Sequence, residues 1–243
     1  MTRILDLNVD MGESIDGWLH GTDQDLLRLA SSVNVCTGAY AGTTELITET
    51  CRLAVESGVR IGAQVGYRDR AGFGRRPHDI STTELHDEIA EQLDTLGHIA
   101  KSVGGAVTYV KPHGALYHRV HHDPIQAEGL LGAVFEHNPG LAIMGMPNAL
   151  TLALAADRGL GTITEGFVDR GYTPDGLLIA RDQPGALLDS PDAAATQALQ
   201  LATRIDSLCV HSDSPDALEL ITRVRSTLEA HGYLVQAQAW LMP

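Results

Sequence analysis

The chain has few cysteines, and they are poorly placed for crosslinking. Its three cysteines lie at positions 36, 51 and 209. An odd number at such wide spacings excludes a complete disulfide framework and a C-x-x-C metal clip. We therefore expect three reduced thiols, with Cys36 and Cys209 serving as small buried residues in apolar runs.

Long apolar runs are also missing. A membrane-spanning helix needs about 20 consecutive apolar residues, and no segment approaches that length. The first residues read M-T-R-I-L-D, without the basic segment and apolar run of a secretory signal. The expected location is the cytoplasm, and no membrane partner is expected.

Positive charge is scarce. Seventeen Lys and Arg residues stand against 31 Asp and Glu residues, which gives a net charge of -14. This charge repels phosphate backbones, so nucleic acid is not an expected partner. A small anionic ligand stays open as an alternative, because Lys111, Arg170 or Arg181 can set the local potential inside a cleft.

The chain does contain a regular alternation of two patterns. Apolar or β-branched runs typical of buried strands recur at residues 4–9, 33–36, 59–65, 106–110, 141–146, 162–168 and 208–210. Stretches with helical spacing lie between them at 23–31, 44–57, 82–103, 124–137, 148–158, 192–204 and 214–230. Residues that commonly cap helices precede four of these stretches, at Thr22, Thr43, Ser81 and Ser214.

This alternation predicts an α/β fold of parallel strands joined by right-handed crossovers. The periodicity does not choose between a closed or nearly closed barrel and an open doubly wound sheet. No G-x-G-x-x-G follows the first strand, so a dinucleotide-binding fold has no positive support. Length and composition favour one domain over residues 1–243. The glycine-rich segment 66–77 is predicted to be a loop over a site.

Polar residues at strand ends are the candidate site, because ligands of parallel α/β folds gather at the C-terminal ends of strands. Asp6, Asn8 and Asp10 alternate at period two and should point to one face. For Asn8, a satisfied polar layer is an equal alternative to a functional role. A pair formed by Asp10 and Glu13 favours function, because buried carboxylates are costly without a partner.

The most specific local cluster is residues 111–117, which read K-P-H-G-A-L-Y. Lys111 and His113 flank a proline next to a buried strand, where a lysine can hold an oxyanion and a histidine can exchange protons. A helix cap and a surface charge are the structural alternative. His211 follows the last predicted strand and is a candidate for anion contact, while Asp213 could equally be a helix N-cap.

These segments together resemble the LamB/YcsF family. The matching segments, in the order in which the family has them, are D-L-N-V-D-M-G-E at 6–13, S-S-V-N-V at 31–35, G-F-G-R-R at 72–76, K-P-H-G-A-L-Y at 111–117, D-R-G-Y at 169–172, D-G at 175–176, P-G-A at 184–186 and H-S-D-S-P at 211–215. They extend over almost the whole chain.

The resemblance implies a (β/α) barrel, seven-stranded and irregular, related to the polysaccharide deacetylase architecture. It also implies the A-type component of an ATP-dependent 5-oxoprolinase, which opens 5-oxoproline to glutamate together with subunits B and C. ATP with Mg²⁺ would be bound by that complex, on a component that this sequence does not identify, and no tightly bound metal is expected. A homo-oligomer stays open.

Under this hypothesis, four residues are candidates for catalysis: Asp10 and Glu13 would orient or activate water, and Lys111 and His113 would handle charge and protons on the amide. The expected substrate contacts are Asn8, Asn34, Tyr40, Gln64, Arg170, Arg181 and His211, with one of the arginines holding the substrate carboxylate.

Three positions depart from the family pattern. Family members usually read G-F-H-A-G-D where this chain has Tyr40 and Thr43, and G-A-H-P-G-Y where it has Gln64. Two histidines and one aspartate are thus missing from the expected pocket. Tyrosine and glutamine cannot carry protons near pH 7 as imidazole does.

These departures keep three hypotheses open. The first is a working enzyme that opens a lactam or related cyclic amide. The second is a degenerate paralogue that binds a ligand or partner subunit without turnover. The third, a metal-dependent deacetylase, rests on fold analogy alone.

Overall fold

A computed structural model of the chain describes residues 3–188, 190–212 and 216–237. Eight parallel strands form its sheet. Their bounds are β1 Arg3–Met11, β2 Ser32–Cys36, β3 Arg60–Val65, β4 Val107–Pro112, β5 Ala142–Gly145, β6 Gly161–Phe167, β7 Ser207–Val210 and β8 Tyr233–Val235.

Nine α-helices lie in the described ranges. Their bounds are α1 Ile15–Leu19, α2 Thr22–Leu29, α3 Thr44–Glu56, α4 Thr82–Ser102, α5 Gly114–Arg119, α6 Pro124–His137, α7 Leu150–Asp157, α8 Pro191–Leu201 and α9 Ala217–Ala230. A short 3₁₀ turn, Arg70–Gly72, lies in the loop after β3. None of the helices in these ranges has the length and apolar character needed to cross a bilayer.

The first seven strands close into a barrel. Strand β1 pairs with β2 on one side and with β7 on the other, so neither side is left as an open edge. The prediction of a barrel is therefore confirmed, and the open doubly wound sheet is excluded. The eighth strand pairs only with the beginning of β1, over Arg3 to Leu5, and lies outside the ring.

Burial on both faces explains why the strands read as continuous apolar runs. Leu7, Val9, Val33 and Val35 are fully buried between the barrel and the helices around it. The helices contribute one apolar face each; α4, for example, buries its residues 85, 89, 93 and 96. The main hydrophobic core therefore surrounds the barrel, while the barrel interior holds many of the buried polar side chains.

The expected boundaries needed several corrections. Strand β4 extends to Pro112, so Lys111 lies within the strand rather than after it. Two short helices, α1 and α5, and strand β8 had no clear pattern because each has six residues or fewer. Thr43 and Ser81 cap α3 and α4 as predicted, whereas the residue that precedes α2 is Gly21 and not Thr22. Ser214 lies outside the described residues.

Candidate functional site

A cavity of about 280 Å³ opens at the C-terminal ends of the barrel strands. This is the end at which ligands bind in parallel (β/α) barrels. Most of its lining side chains are polar or charged. They include Asp10, Glu13, Gln64, Arg75, Lys111, His113, Tyr117, His118, Arg170, Arg181 and His211. Most of the predicted site residues therefore line one cavity, and the three that do not are Asn8, Asn34 and Tyr40.

A hydrogen-bonded polar layer lies beneath this cavity. Asn8 donates to Ser207 Oγ at 2.7 Å and accepts from Asn34 at 2.7 Å, while Asn34 accepts from the Tyr109 hydroxyl at 2.7 Å. Deeper in the barrel, three serine hydroxyls donate to the Asp6 carboxylate. Both asparagines are fully buried and do not line the cavity, so their predicted contact with substrate gains no support from the geometry.

Lys111 is the centre of the charged part of the cavity. Its Nζ lies 2.7 Å from Glu165 Oε1, 3.0 Å from Asp10 Oδ1 and 3.3 Å from Cys209 Sγ. Glu165 also accepts a hydrogen bond from the Tyr117 hydroxyl at 2.9 Å. A single buried cation is thus held between two carboxylates from β1 and β6.

The pKa values follow from this arrangement. Burial disfavours the charged form of Lys111, but the carboxylate of Asp10 and the groups beyond it outweigh burial and raise the pKa of the ammonium well above its usual value. For Asp10, burial is again the largest opposing effect, yet the charge of Lys111 lowers the pKa of this carboxyl below its usual range. Both groups are therefore charged at neutral pH.

A second pair, Asp169 and His211, lies on the same side. His211 Nδ1 is 2.9 Å from one carboxylate oxygen of Asp169 and 3.0 Å from the other, and the backbone N–H of His211 also donates to Asp169 at 3.0 Å. The imidazole stacks on the Phe167 ring with 5.3 Å between centroids. A carboxylate on Nδ1 leaves Nε2 as the nitrogen that can exchange a proton.

The opposite side contains the residues that depart from the family pattern. The Tyr40 hydroxyl donates to Gln64 Oε1 at 2.7 Å, so these two departures contact each other directly. The Tyr40 ring stacks on His113 with 3.8 Å between centroids and an interplanar angle of 6°. Tyr40 itself is absent from the cavity lining and supports Gln64 and His113 from behind.

His113 is neutral at physiological pH. Burial is the main cause that lowers the pKa of its imidazole to about 4. Its Nε2 lies 3.0 Å from the carbonyl oxygen of Phe73 and donates to it, while Nδ1 is 3.7 Å from Glu13 Oε1. Glu13 therefore lies beside His113 and Asp10 beside Lys111, so the expected pairing of Asp10 with Glu13 is replaced by two separate contacts.

The glycine-rich loop 66–77 covers this part of the site, as predicted. Arg70 anchors it by donating to the carbonyl oxygens of Gly38 at 2.6 Å and Gly42 at 2.8 Å. Gly74 has a φ of +66°, and a Cβ there would lie 3.0 Å from the His113 ring. Glycine is required because the loop backbone packs directly against the imidazole.

Arginines line the outer part of the cavity. Arg170 is buried, and it donates through Nε to the carbonyl oxygen of Ala186 at 3.1 Å and through Nη2 to that of Ile179 at 2.7 Å. It thereby anchors the loop between β6 and α8. Arg181 on that loop and Arg75 on the loop after β3 also line the cavity.

One group of residues has the donor types of a metal site. A carboxylate oxygen of Asp10, Cys209 Sγ and a ring nitrogen of His211 lie within 4.8 Å of one another. The ammonium of Lys111 contacts both Asp10 and Cys209, and a metal cation would be repelled there. Burial also raises the pKa of Cys209 well above its usual value, which disfavours the thiolate that metals bind. The expectation of no tightly bound metal stays a prediction.

Thr43 corrects the expected pocket. Its side chain caps α3 by accepting from the backbone N–H of Leu46 at 3.3 Å, and it is exposed outside the cavity. The family's aspartate at this position would cap the helix equally well. Only the two histidine replacements therefore change the pocket. Asp213, whose capping or ligand role was left open, lies outside the described residues.

Sequence reasoning missed the partners of the two charged groups. Glu165 was recognised as a strand-end residue but not as the second carboxylate of Lys111, and Asp169 was not linked to His211. The available signal was an acidic residue within the apolar run 162–168, which would be costly to bury without a cation.

The fold first defines the class of protein, a parallel (β/α) barrel with a polar cavity at its C-terminal end. A family 4 carbohydrate esterase from Streptomyces lividans has this fold, with a TM-score of 0.51 over 96% of this chain and 91% of its own, at 17% identity. A lactam utilization protein from Thermus thermophilus is more similar, with a TM-score of 0.89 over 97% of this chain and 100% of its own, at 34% identity.

The LamB/YcsF family model matches residues 5–241. The chain therefore belongs to the LamB/YcsF family, as the sequence motifs predicted. It is 43% identical to the A-type component of 5-oxoprolinase from Streptomyces avermitilis over 97% of this chain and 100% of that protein, and 42% identical to a protein of the same name from Mycobacterium avium over 96% and 98%. The shared name makes these relatives parts of a multi-subunit enzyme.

Proposed function

We propose that this chain is the A-type component of a complex that opens 5-oxoproline to glutamate, with ATP and Mg²⁺ and with B- and C-type partner subunits. The observation that carries the proposal is the cavity itself. In a family whose relatives are named for this reaction, it holds a buried Lys111 between two carboxylates and a histidine oriented by Asp169.

The reaction needs activation because an amide carbonyl is a poor electrophile. Transfer of the terminal phosphoryl group of ATP to the lactam oxygen would convert that oxygen into a leaving group and release ADP. Water would then attack the ring carbon, the carbon–nitrogen bond would open, and inorganic phosphate would leave. No ATP site is assigned to this chain, so the source of the activated intermediate belongs to the complex.

His211 is the residue best placed to take the proton from water. Asp169 holds its Nδ1, and Nε2 is then the nitrogen that accepts a proton while the carboxylate stabilises the imidazolium. His113 fits this role less well, because burial keeps it neutral and its Nε2–H is used by the Phe73 carbonyl. The proton-transfer role first expected of His113 therefore moves to His211.

Lys111 supplies positive charge without acting as a free donor. Its ammonium already contacts Asp10 and Glu165, so its main effect is a fixed positive potential beside the position where the amide oxygen becomes negative. The outer arginines, Arg75 and Arg181, would hold the substrate carboxylate, with Arg170 keeping the loop that carries Arg181 in place.

The test measures glutamate release from 5-oxoproline with ATP and Mg²⁺. The chain is assayed alone and with B- and C-type subunits from an active relative, and that relative's own A-type component serves as the positive control. Release only in the mixture supports the proposal. No release in either assay, with an active control, contradicts it.

A non-catalytic paralogue is the second candidate, and one observation favours it. Tyr40 and Gln64 are in contact and neither titrates near neutral pH, since burial and the charge of Glu13 raise the pKa of Tyr40 well above its usual value. The double variant Tyr40→His/Gln64→His distinguishes the two candidates. Under this alternative it gains glutamate release that the natural chain lacks; under the proposal the natural chain is already active.

A metal-dependent deacetylase finds no support beyond the shared barrel. Metal analysis of the purified chain, with zinc, manganese and cobalt measured, tests it directly. A stoichiometric metal would revive this alternative.

A further inference from the structure

Gln64 has an unusual position in the cavity. It lies at the C-terminal end of β3, is only 1% exposed, and is one of the residues that line the cavity. Its register partner in β4 is Lys111. The two residues therefore lie side by side at the inner end of the pocket, next to the charged centre of the site.

The two ends of the Gln64 amide are used differently. Its oxygen accepts the hydroxyl proton of Tyr40 at 2.7 Å, and this contact fixes the orientation of the amide. Its nitrogen, Nε2, is buried and has no hydrogen-bond partner among the residues that the structure describes. An unsatisfied buried donor is costly, so native proteins keep one mainly where a ligand or an ordered water completes it.

The support behind Gln64 is rigid. The Tyr40 ring stacks on His113 and makes an edge contact with Phe73, with 5.7 Å between centroids. His113 is in turn held by its hydrogen bond to the Phe73 carbonyl. A donor presented by such a packed set of rings is preorganised, which is what a recognition group requires.

The charges around Nε2 indicate what it binds. Two carboxylates, Asp10 and Glu13, line the same inner part of the cavity, and a ligand carboxylate would be repelled there. The arginines lie on the loops at the outer part. A ligand with one neutral oxygen and one carboxylate would therefore place the neutral oxygen inward and the carboxylate outward.

We propose that Gln64 is a specificity-determining residue whose Nε2–H donates a hydrogen bond to the neutral carbonyl oxygen of the ring amide. This inference rests on the proposed function and deepens it, because it fixes the direction in which a cyclic amide acid enters the cavity. The carbonyl lies beside Gln64 and Lys111, and the carboxylate lies toward Arg75 and Arg181.

Two unreactive ligands test the inference without turnover. 3-Oxocyclopentanecarboxylate keeps the carbonyl and carboxylate of 5-oxoproline, and cyclopentanecarboxylate lacks only the carbonyl oxygen. Calorimetric binding to the natural chain should favour the keto acid by about ten- to a hundredfold, the range for one buried hydrogen bond.

Two variants of Gln64 complete the experiment. Gln64→Met, which is neutral, of similar length and without a donor, should abolish the preference while leaving binding of cyclopentanecarboxylate unchanged. Gln64→His, which keeps an N–H donor, should retain it. Because the readout is a ratio of two affinities for each variant, a general loss of stability cannot imitate the result.

The outcomes separate this inference from the proposed function. A natural chain without the preference, or a Gln64→Met variant that keeps it, overturns the role of Gln64. If the preference is present and depends on Gln64 while the complex releases no glutamate, the role of Gln64 stands and the proposed reaction fails.

Discussion

The two sides of the cavity differ in charge. One side, which we call the charged wall, consists of Asp10, Lys111, Glu165, Asp169 and His211. The other, the neutral wall, consists of Tyr40, Gln64 and His113. On the charged wall each ionised group has a partner of opposite charge or a hydrogen-bonded histidine. On the neutral wall an uncharged amide and two stacked rings replace ions.

This difference separates chemistry from recognition. Ion pairs in a buried site maintain a strong field at the place where charge changes during a reaction, whereas neutral groups can distinguish shapes and acceptors without altering that field. The replacement of two histidines by Tyr40 and Gln64 thus changes what the pocket recognises and leaves the charged wall complete. The predictions below test this division, beginning with the largest expected effect.

Removal of the central cation should damage both the fold and the activity. Lys111→Met leaves Asp10 and Glu165 buried with like charges, and breaking such a pair costs about 3–5 kcal/mol. We expect a denaturant midpoint that falls accordingly and no measurable glutamate release. The triple variant Lys111→Met/Asp10→Asn/Glu165→Gln should regain most of the stability but no activity. A single variant as stable as the natural chain would contradict this account of the charged wall.

Loss of the histidine's orienting carboxylate should reduce turnover with little effect on folding. In Asp169→Asn, His211 loses the acceptor that fixes its tautomer, and we expect kcat to fall by about 10²–10⁴. The matched control is Asp192→Asn, at an exposed aspartate that pairs with Arg223 on the outer surface. If the control loses as much activity as Asp169→Asn, the role of the Asp169–His211 pair is wrong.

The sequence predicted the barrel well because strand and helix periods are local properties. The alternation of Asp6, Asn8 and Asp10 even indicated which face of β1 is polar. Partner choice across the barrel could not be predicted in the same way. Lys111 meets Glu165 over 54 positions of chain, and which carboxylate reaches it depends on strand register and closure, which no local pattern encodes.

The neutral wall illustrates the same limit. Tyr40 and Gln64 were identified as departures from the family pattern, but their direct contact depends on how the loop after β2 folds over the end of β3. Thr43, only three positions from Tyr40, turned out to serve the backbone of α3 instead. Sequence neighbours in a loop can thus have unrelated roles, because the loop crosses from the cavity to the outer surface.

The neutral state of His113 should appear in the pH dependence of stability. Its folded pKa of about 4 lies below the usual value of 6.5, so the unfolded chain binds the extra proton between these values. The free energy of unfolding should therefore fall as pH drops from 6.5 to 4, by at most about 3 kcal/mol from this group. His113→Gln, which can still donate to the Phe73 carbonyl, should flatten the curve in that window.

The pH window separates His113 from its neighbours. Asp10, whose pKa is lowered, contributes stability that is lost only as pH falls below its unfolded value near 3.8. Glu13, Lys111 and Arg75 also face the imidazole, so the variant is measured with all of them unchanged. An unaltered slope between pH 4 and 6.5 in His113→Gln would show that this histidine is not held neutral.

The smallest effect is expected at Thr43, and it defines the edge of the neutral wall. If Thr43 is only a helix cap, Thr43→Asp keeps a side-chain acceptor for the N–H of Leu46 and should change neither glutamate release nor the binding preference set by Gln64. Thr43→Ala removes the cap and should cost about 1 kcal/mol in the free energy of unfolding, again without an effect on binding. A change in ligand preference in either variant would extend the wall to this loop residue, because a cap acts on the stability of α3 and not on the acceptor that Gln64 meets.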